Sequence, residues 1–117
     1  MSKGKRNINL FISDILEAID NIEAYTNAMT YEQFMEDKKT KDAVLRNLEV
    51  IGEAVKNIPD TVKDKYPAVN WRAATGMRDK LSHEYFGVSF PIVWDTIRND
   101  LPVFKFEIKN AFKDLER

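Results

Sequence analysis

Residues 40–57 read TKDAVLRNLEVIGEAVKN, and this stretch decides the fold because its apolar residues recur with a helical period. Four aliphatic residues at that spacing fall on one helix face: Val44, Leu48, Ile51 and Val55. We expect Thr40 to cap the helix at its start. A glycine within a helix costs about 1 kcal/mol relative to alanine, so Gly52 predicts the close approach of another helix.

The chain before this stretch predicts two more helices. Residues 8–29 carry an apolar stripe of helical spacing, and acidic side chains lie largely between its members. Thr30 and Gln33 form a capping-box pattern, which predicts a short helix immediately after Thr30.

The chain after it predicts two substantial helices. Pro59 ends the central helix, and we expect Asp60 to cap a short turn. Asn70 is placed to cap a helix that begins at Trp71 and stops before Gly87. The last helix has the start signal of a serine followed by a proline, Ser89 and Pro91, and a predicted kink at Pro102.

These elements predict an all-α protein: an antiparallel four-helix bundle with short extra helices, in a single domain over residues 1–117. No segment shows the period-two alternation of a strand. Seven bulky aromatic residues present more apolar surface than a slim bundle can easily bury, so we expect a homodimer. These residues are Phe11, Phe34, Trp71, Trp94, Phe104, Phe106 and Phe112.

Composition narrows the possible functions. The chain has no cysteine and one histidine, which excludes disulfides, thiolate metal sites and cages of several histidines. The polar start and the lack of a long apolar run predict a cytoplasmic protein with no membrane partner. The net charge is −1, and only residues 41–80 are net positive, with eight basic and six acidic side chains. Any site for a polyanion must therefore be local.

The candidate chemistry lies in residues 77–87, MRDKLSHEYFG, which hold Arg78, His83 and Tyr85. An imidazole can take the proton from a ribose 2′-hydroxyl or give one to the leaving 5′-oxygen, and a guanidinium can hold the phosphate oxygens. An ideal helix would place His83 roughly 140° around the axis from Arg78. Cooperation requires the helix to end near Ser82 or a second subunit to complete the site.

Structural roles compete with this interpretation. A lone histidine is by default a helix-end or surface residue, Arg78 a salt-bridge partner of Asp79, and Tyr85 a core residue. Trp71 and Trp94 are interpreted as packing residues, because both fall in helical apolar stripes.

The pattern Arg78-x4-His83-x-Tyr85 resembles the RX4HXY signature of HepT-type toxins, all-helical members of the HEPN superfamily. The resemblance extends in the same order along nearly the whole chain, through residues 46–54, 71–81, 93–94 and 100–102. It implies a HEPN-like homodimer whose ribonuclease site combines Arg78 and His83 of both subunits, with no metal and no cofactor. Asp79 takes the family's supporting polar position.

The resemblance also implies regulation and a partner. Tyr85 would accept AMP from a cognate antitoxin, a minimal nucleotidyltransferase of the MntA type, and the pair would form a type VII toxin–antitoxin system. Two alternatives stay open at this point: a non-catalytic nucleotide- or substrate-binding subunit of a two-component nucleotidyltransferase, and a dimeric helical scaffold.

Overall fold

Helices make up most of the protein in the computed structural model, which describes residues 3–75 and 87–113. The helices are α1 (Lys3–Thr26), α2 (Tyr31–Glu36), α3 (Lys38–Asn57), α4 (Asp60–Lys63), α5 (Phe90–Asp95) and α6 (Leu101–Ala111). Residues 71–75 are also helical, and we call them the lead helix. No strand occurs in the described ranges, and the predicted all-α class is confirmed.

The core forms where α1, α3 and α6 meet. The stripe predicted on α3 is fully buried, and the inner face of α1 is formed by four isoleucines at helical spacing: Ile12, Ile15, Ile19 and Ile22. Each such buried side chain contributes roughly 1.5–3 kcal/mol relative to an exposed one. Gly52 is buried within α3, and the close approach of another helix at this residue stays a prediction. α1 ends at Thr26, so Met29 belongs to the connection that follows and not to the helix.

The boundary between α2 and α3 confirms one predicted cap and corrects another. Thr30 and Gln33 form the expected capping box, in which each side chain accepts the other residue's backbone N–H. Thr40, by contrast, is not the cap of α3. Asp37 takes that role, because its carboxylate accepts the Thr40 N–H at 2.9 Å. This charge-assisted bond lowers the pKa of Asp37.

Asp60 also differs from its predicted role. The short α4 has Pro59 at its N-cap position, where no side chain accepts a hydrogen bond, and Asp60 is the first helical residue. An acidic side chain in the first turn still interacts favourably with the helix dipole.

The last helical stretch, residues 90–111, consists of α5, a π-helical turn over Thr96–Asp100, and α6. Ser89 accepts the Ile92 N–H at 3.5 Å and confirms the predicted start. Pro102 stands in the first turn of α6, directly after the π turn, in which the Leu101 N–H bonds to the Thr96 carbonyl. Because proline lacks an N–H and crowds the preceding turn, the wider turn accommodates it.

Two cations on this stretch show that it runs antiparallel to α1. Arg98 donates to the carbonyl oxygens of Thr26 and Met29, at 3.0 and 2.7 Å. One and a half to two turns later, the Lys105 ammonium contacts Glu23, which lies further back along α1. Later residues of the last helical stretch therefore contact earlier residues of α1, which agrees with the predicted antiparallel bundle.

The aromatic residues are mostly hidden within one chain. Of the seven that motivated the prediction of a homodimer, Phe106 alone is exposed, with 70% of its surface accessible. Phe34 and Phe112 are fully buried, and Trp71 is 9% exposed. The aromatic surplus expected from the sequence is therefore absorbed by the core, and the homodimer stays a prediction.

Candidate functional site

The predicted site residues share one short segment of the chain. Arg78, Asp79, His83 and Tyr85 all fall in residues 76–86, which we call the motif segment and which lie outside the described residues. The structure describes the residues on either side of this segment. Their contacts define where the chain enters and leaves the candidate site.

The lead helix, through which the chain enters the motif segment, begins at a well-formed cap. The Asn70 side-chain oxygen accepts the Ala73 backbone N–H at 3.1 Å, which confirms the predicted cap. The backbone N–H of Asn70 donates to the Glu107 carboxylate of α6, also at 3.1 Å. Both N–H groups would otherwise lack a helical partner, so α6 completes a capping arrangement that usually comes from a single helix.

Trp71 fixes the first turn of the lead helix in the core. Its indole N–H donates to the Tyr66 carbonyl at 3.2 Å, and its ring meets the ring of Phe112 edge-on with centroids 6.0 Å apart. Phe112 is in turn 4.4 Å from the Tyr66 ring. Trp71 is a packing residue, as predicted, and it orients the helix that leads into the motif segment.

The chain leaves the motif segment beside α2. Phe90, three residues after Gly87, places its ring edge-on to Phe34 with centroids 6.3 Å apart. Phe34 also packs against Trp94 at 5.0 Å. This aromatic cluster confirms Trp94 as a packing residue and fixes the start of α5.

α3 connects the surroundings of both ends. Ile51 lines a cleft together with Ala73 and Ala74 of the lead helix. Ten residues earlier on α3, the Lys41 ammonium lies 4.7 Å from the centre of the Phe90 ring. Because a helix rises 1.5 Å per residue, these two points are about 15 Å apart along α3. The chain therefore reaches the start of the motif segment beside the second half of α3, and it continues after the motif segment near the first turn of α3.

The cleft itself is not suited to phosphate. It has a volume of about 260 Å³ and lies between the lead helix, α3 and α6. Its described lining includes two carboxylates, Asp100 and Glu107, and no lysine or arginine. These carboxylates would repel a polyanion from the cleft.

Lys105 links α1 to α6 through two carboxylates. Its ammonium lies 2.7 Å from Glu23 and 3.1 Å from Asp20. The hydrogen bond to Glu23, together with that to Asp20, raises the pKa of Lys105. The charge of this lysine is therefore used within the fold.

The described residues contain neither a cluster of metal-ligating side chains nor a membrane-spanning helix. Within residues 3–75 and 87–113, no three or more His, Asp or Glu side chains are grouped closely enough to hold a metal ion. In the same ranges, no helix combines the length and the apolar character needed to cross a membrane.

Comparison with known proteins decides the family. The model of the family described as "Ribonuclease HepT-like" matches residues 15–111. The chain belongs to the HepT-like ribonuclease family. The resemblance predicted from the motif is thus confirmed, and the all-helical structure agrees with the HEPN fold it implied.

Two relatives of this HepT-like chain match it over almost their whole length. It is 47% identical over 112 residues to "Putative RNase MJ0127" of Methanocaldococcus jannaschii, covering 96% of this chain and 93% of that protein. It is 48% identical over 113 residues to "Probable ribonuclease HepT" of Thermococcus cleftensis, covering 97% and 99%. No solved structure is significantly similar to it.

Sequence reasoning missed one arrangement next to the site. The pairing of Lys41 with Phe90 joins two residues on different helices, and no local pattern in the sequence predicts it. A lysine on the exposed side of a helix looks the same in the sequence whether or not an aromatic ring from elsewhere lies under its ammonium group.

Proposed function

We propose that this HepT-like protein is a metal-independent endoribonuclease toxin of a HepT/MntA-type, type VII toxin–antitoxin system, acting on RNA in the cytoplasm. The observation that carries the proposal is Arg78-x4-His83-x-Tyr85 in a chain of the HepT-like ribonuclease family. The relatives described above bear RNase or ribonuclease in their names, which supports the same activity. Residues 1–117 act as one HEPN-like domain, because α1, α3 and α6 share a single core.

In the proposed reaction, the ribose 2′-oxygen attacks the neighbouring phosphorus and the bond to the 5′-oxygen breaks. One imidazole takes the 2′-hydroxyl proton, and a second group protonates the departing oxygen. Arg78 donates hydrogen bonds to the non-bridging oxygens, where negative charge builds up, and Asp79 supports it. Each chain has one histidine, so His83 from each of two subunits supplies both groups and the active form is a homodimer.

The contacts on either side of the motif segment support a built site. The lead helix is capped by Asn70 and held in the core by Trp71, while Phe90 is packed on Phe34. Catalytic groups need a rigid frame, since small displacements of the reacting groups slow a reaction strongly. The chain thus enters and leaves the motif segment from fixed points.

Regulation is proposed at Tyr85. Its hydroxyl oxygen attacks the α-phosphorus of ATP bound to an MntA-type nucleotidyltransferase antitoxin, pyrophosphate leaves, and AMP remains on the tyrosine as a phosphodiester. The new negative charge and the adenosine sit two residues from His83 in the sequence. They would repel RNA and compete for Arg78, which silences the toxin.

RNA cleavage in the presence of EDTA tests the enzymatic part. The purified protein should cleave single-stranded RNA, and His83→Ala or Arg78→Ala should abolish cleavage with thermal stability near that of the wild type. Arg72→Ala is a matched control, since Arg72 is an exposed arginine on the lead helix. Uncleaved RNA with the unmodified, dimeric protein would contradict the proposal. Nucleotide binding without cleavage would instead favour a non-catalytic subunit of a two-component nucleotidyltransferase.

Intact-mass measurement tests the regulation. Protein co-expressed with the neighbouring nucleotidyltransferase should gain whole AMP units, and Tyr85→Phe should prevent this. Tyr25 provides the control, because it is 43% exposed and a non-selective transferase would modify it too. Unmodified protein, or AMP distributed over several tyrosines, would refute the assignment of Tyr85.

A further inference from the structure

Most of the positively charged side chains whose contacts the structure defines are used within the fold. Lys105 is neutralised by Glu23 and Asp20. Arg98 donates to the carbonyl oxygens of Thr26, at the end of α1, and of Met29, in the connection that follows, and its guanidinium also lies 4.2 Å from the centre of the Trp94 ring. These cations stabilise the bundle, and because their contacts within the protein already use their charge and N–H donors, they are poorly suited to bind a ligand.

Lys41 differs from them. Its ammonium is held 4.7 Å from the centre of the Phe90 ring, and no carboxylate of the described ranges lies within ion-pair distance of it. A contact with an aromatic face fixes an ammonium group without neutralising its charge or occupying its three N–H donors. The half-buried side chain of Lys41 thus holds, in a defined place, a positive charge that no carboxylate of the described residues neutralises.

That place is the edge of the motif segment. Phe90 follows Gly87 by three residues, and three residues span at most about 10 Å. The acidic cleft lies at the other end of the motif segment, where Asp100 and Glu107 disfavour phosphate. Of these two described surroundings, that of Lys41 attracts a polyanion more strongly.

We propose that the ammonium group of Lys41 binds a backbone phosphate of the RNA substrate other than the one that reacts. This inference rests on the proposed ribonuclease function and adds a substrate-binding residue to it. In this proposal Lys41 does not contact the reacting atoms, so it contributes to substrate affinity and not to the chemical step. Because phosphate contacts carry no sequence information, it contributes the same affinity to any single-stranded RNA.

Salt dependence of binding provides the test. Affinity for a single-stranded RNA is measured by fluorescence anisotropy in a His83→Ala background, which leaves the RNA intact. Each phosphate contact to a single strand adds about 0.7 to the slope of log affinity against log salt. Lys41→Met keeps the unbranched stem over Phe90 and removes the charge, so it should lower the slope by about 0.7. Between 50 and 200 mM salt, the parent should then lose roughly 2.6-fold more affinity than Lys41→Met.

Two matched variants make the result specific. Lys39→Met removes a charge from an exposed position on the same turn of α3 and should leave the slope unchanged. Lys41→Arg should keep it, since a guanidinium also binds phosphate and stacks on aromatic rings. In cleavage assays with His83 intact, Lys41→Met should raise KM and leave kcat unchanged.

The outcomes separate the two proposals. A wild-type protein that cleaves no RNA would overturn the ribonuclease function itself. Cleavage by the wild type, combined with equal slopes for the parent and Lys41→Met, would overturn only the role of Lys41. A fall in kcat with KM unchanged would also overturn it, because a residue that binds a flanking phosphate acts on affinity.

Discussion

Replacing Asn70 by alanine should weaken the start of the lead helix and, through it, the motif segment. The side chain accepts one hydrogen bond, from the Ala73 N–H, while the bond from its backbone N–H to Glu107 does not depend on the side chain. The substitution should therefore lower the free energy of unfolding by the contribution of a single cap, about 1 kcal/mol. For 117 residues, with an unfolding entropy of about 2.1 cal/mol/K per residue, this lowers Tm by about 4 °C.

Thr30→Ala is the matched control, since Thr30 also accepts an N–H at 3.1 Å as the cap of another helix. Urea and thermal unfolding should show similar losses for the two variants. At 25 °C, where both remain folded, RNA cleavage should fall further in Asn70→Ala, because only this cap belongs to the helix that leads into the motif segment. The reasoning is refuted if Asn70→Ala costs less than about 0.3 kcal/mol, or if both variants reduce cleavage equally.

Three further predictions concern the bundle. Arg98→Ala should lower the free energy of unfolding by about 2 kcal/mol, because it removes charged donors from two carbonyl groups; the exposed Arg46→Ala should change it by less than about 0.5 kcal/mol in the same urea titration. Phe34→Ala should cost about 3–5 kcal/mol, whereas Phe106→Ala, on the surface, should cost under about 0.5 kcal/mol. The ion pairs of Lys105 stabilise the fold fully below its ordinary pKa of 10.5, and this contribution is lost as the pH rises through its raised pKa in the folded state. The unfolding midpoints of the wild type and Lys105→Met should therefore differ at pH 8 and converge only at strongly alkaline pH.

Local signals in the sequence predicted the helices well where a side chain caps its own backbone. The caps at Thr30, Asn70 and Ser89 were each predicted from residues within three positions of one another. The start of α3 was wrong because two residues could cap it. Asp37 takes the place of Thr40 because it is both the C-cap of α2 and the N-cap of α3, so no linker residues separate the two helices.

Contacts between distant parts of the chain could not be predicted in this way. Glu107 completes the cap at Asn70 from 37 residues away, and Arg98 reaches carbonyls at the end of α1. Both depend on how the helices pack, and a backbone carbonyl has no sequence signature. The π turn before Pro102 was likewise anticipated only as a kink, because the sequence shows the missing N–H but not which turn widens to accommodate it.

For the candidate site, the sequence indicated the residue types and the family, and the structure adds the contacts of the residues on either side of the motif segment. Arg78 and His83 were singled out by their chemistry and spacing, which need no coordinates. Lys41 could not be found that way, since its relation to the motif segment depends on Phe90 passing beneath it. The described residues thus add two charged surroundings: the Lys41 ammonium on the Phe90 ring, near the end of the motif segment, and the carboxylates of the cleft, near its start.

The case for two subunits changes once the burial of the aromatic residues is known. Val103 and Phe106 are exposed one turn apart on α6, while the exposed Leu10 and Ile92 lie on other helices, and scattered apolar residues of this kind are common on monomers. The argument that remains is chemical. Cleavage by the 2′-oxygen needs one group that takes a proton and another that gives one, and each chain has a single imidazole. Tyr85 is a poorer second group, because a phenol ordinarily titrates near pH 10, well above an imidazole. A second His83, from a second chain, is therefore the simplest source of the missing proton transfer.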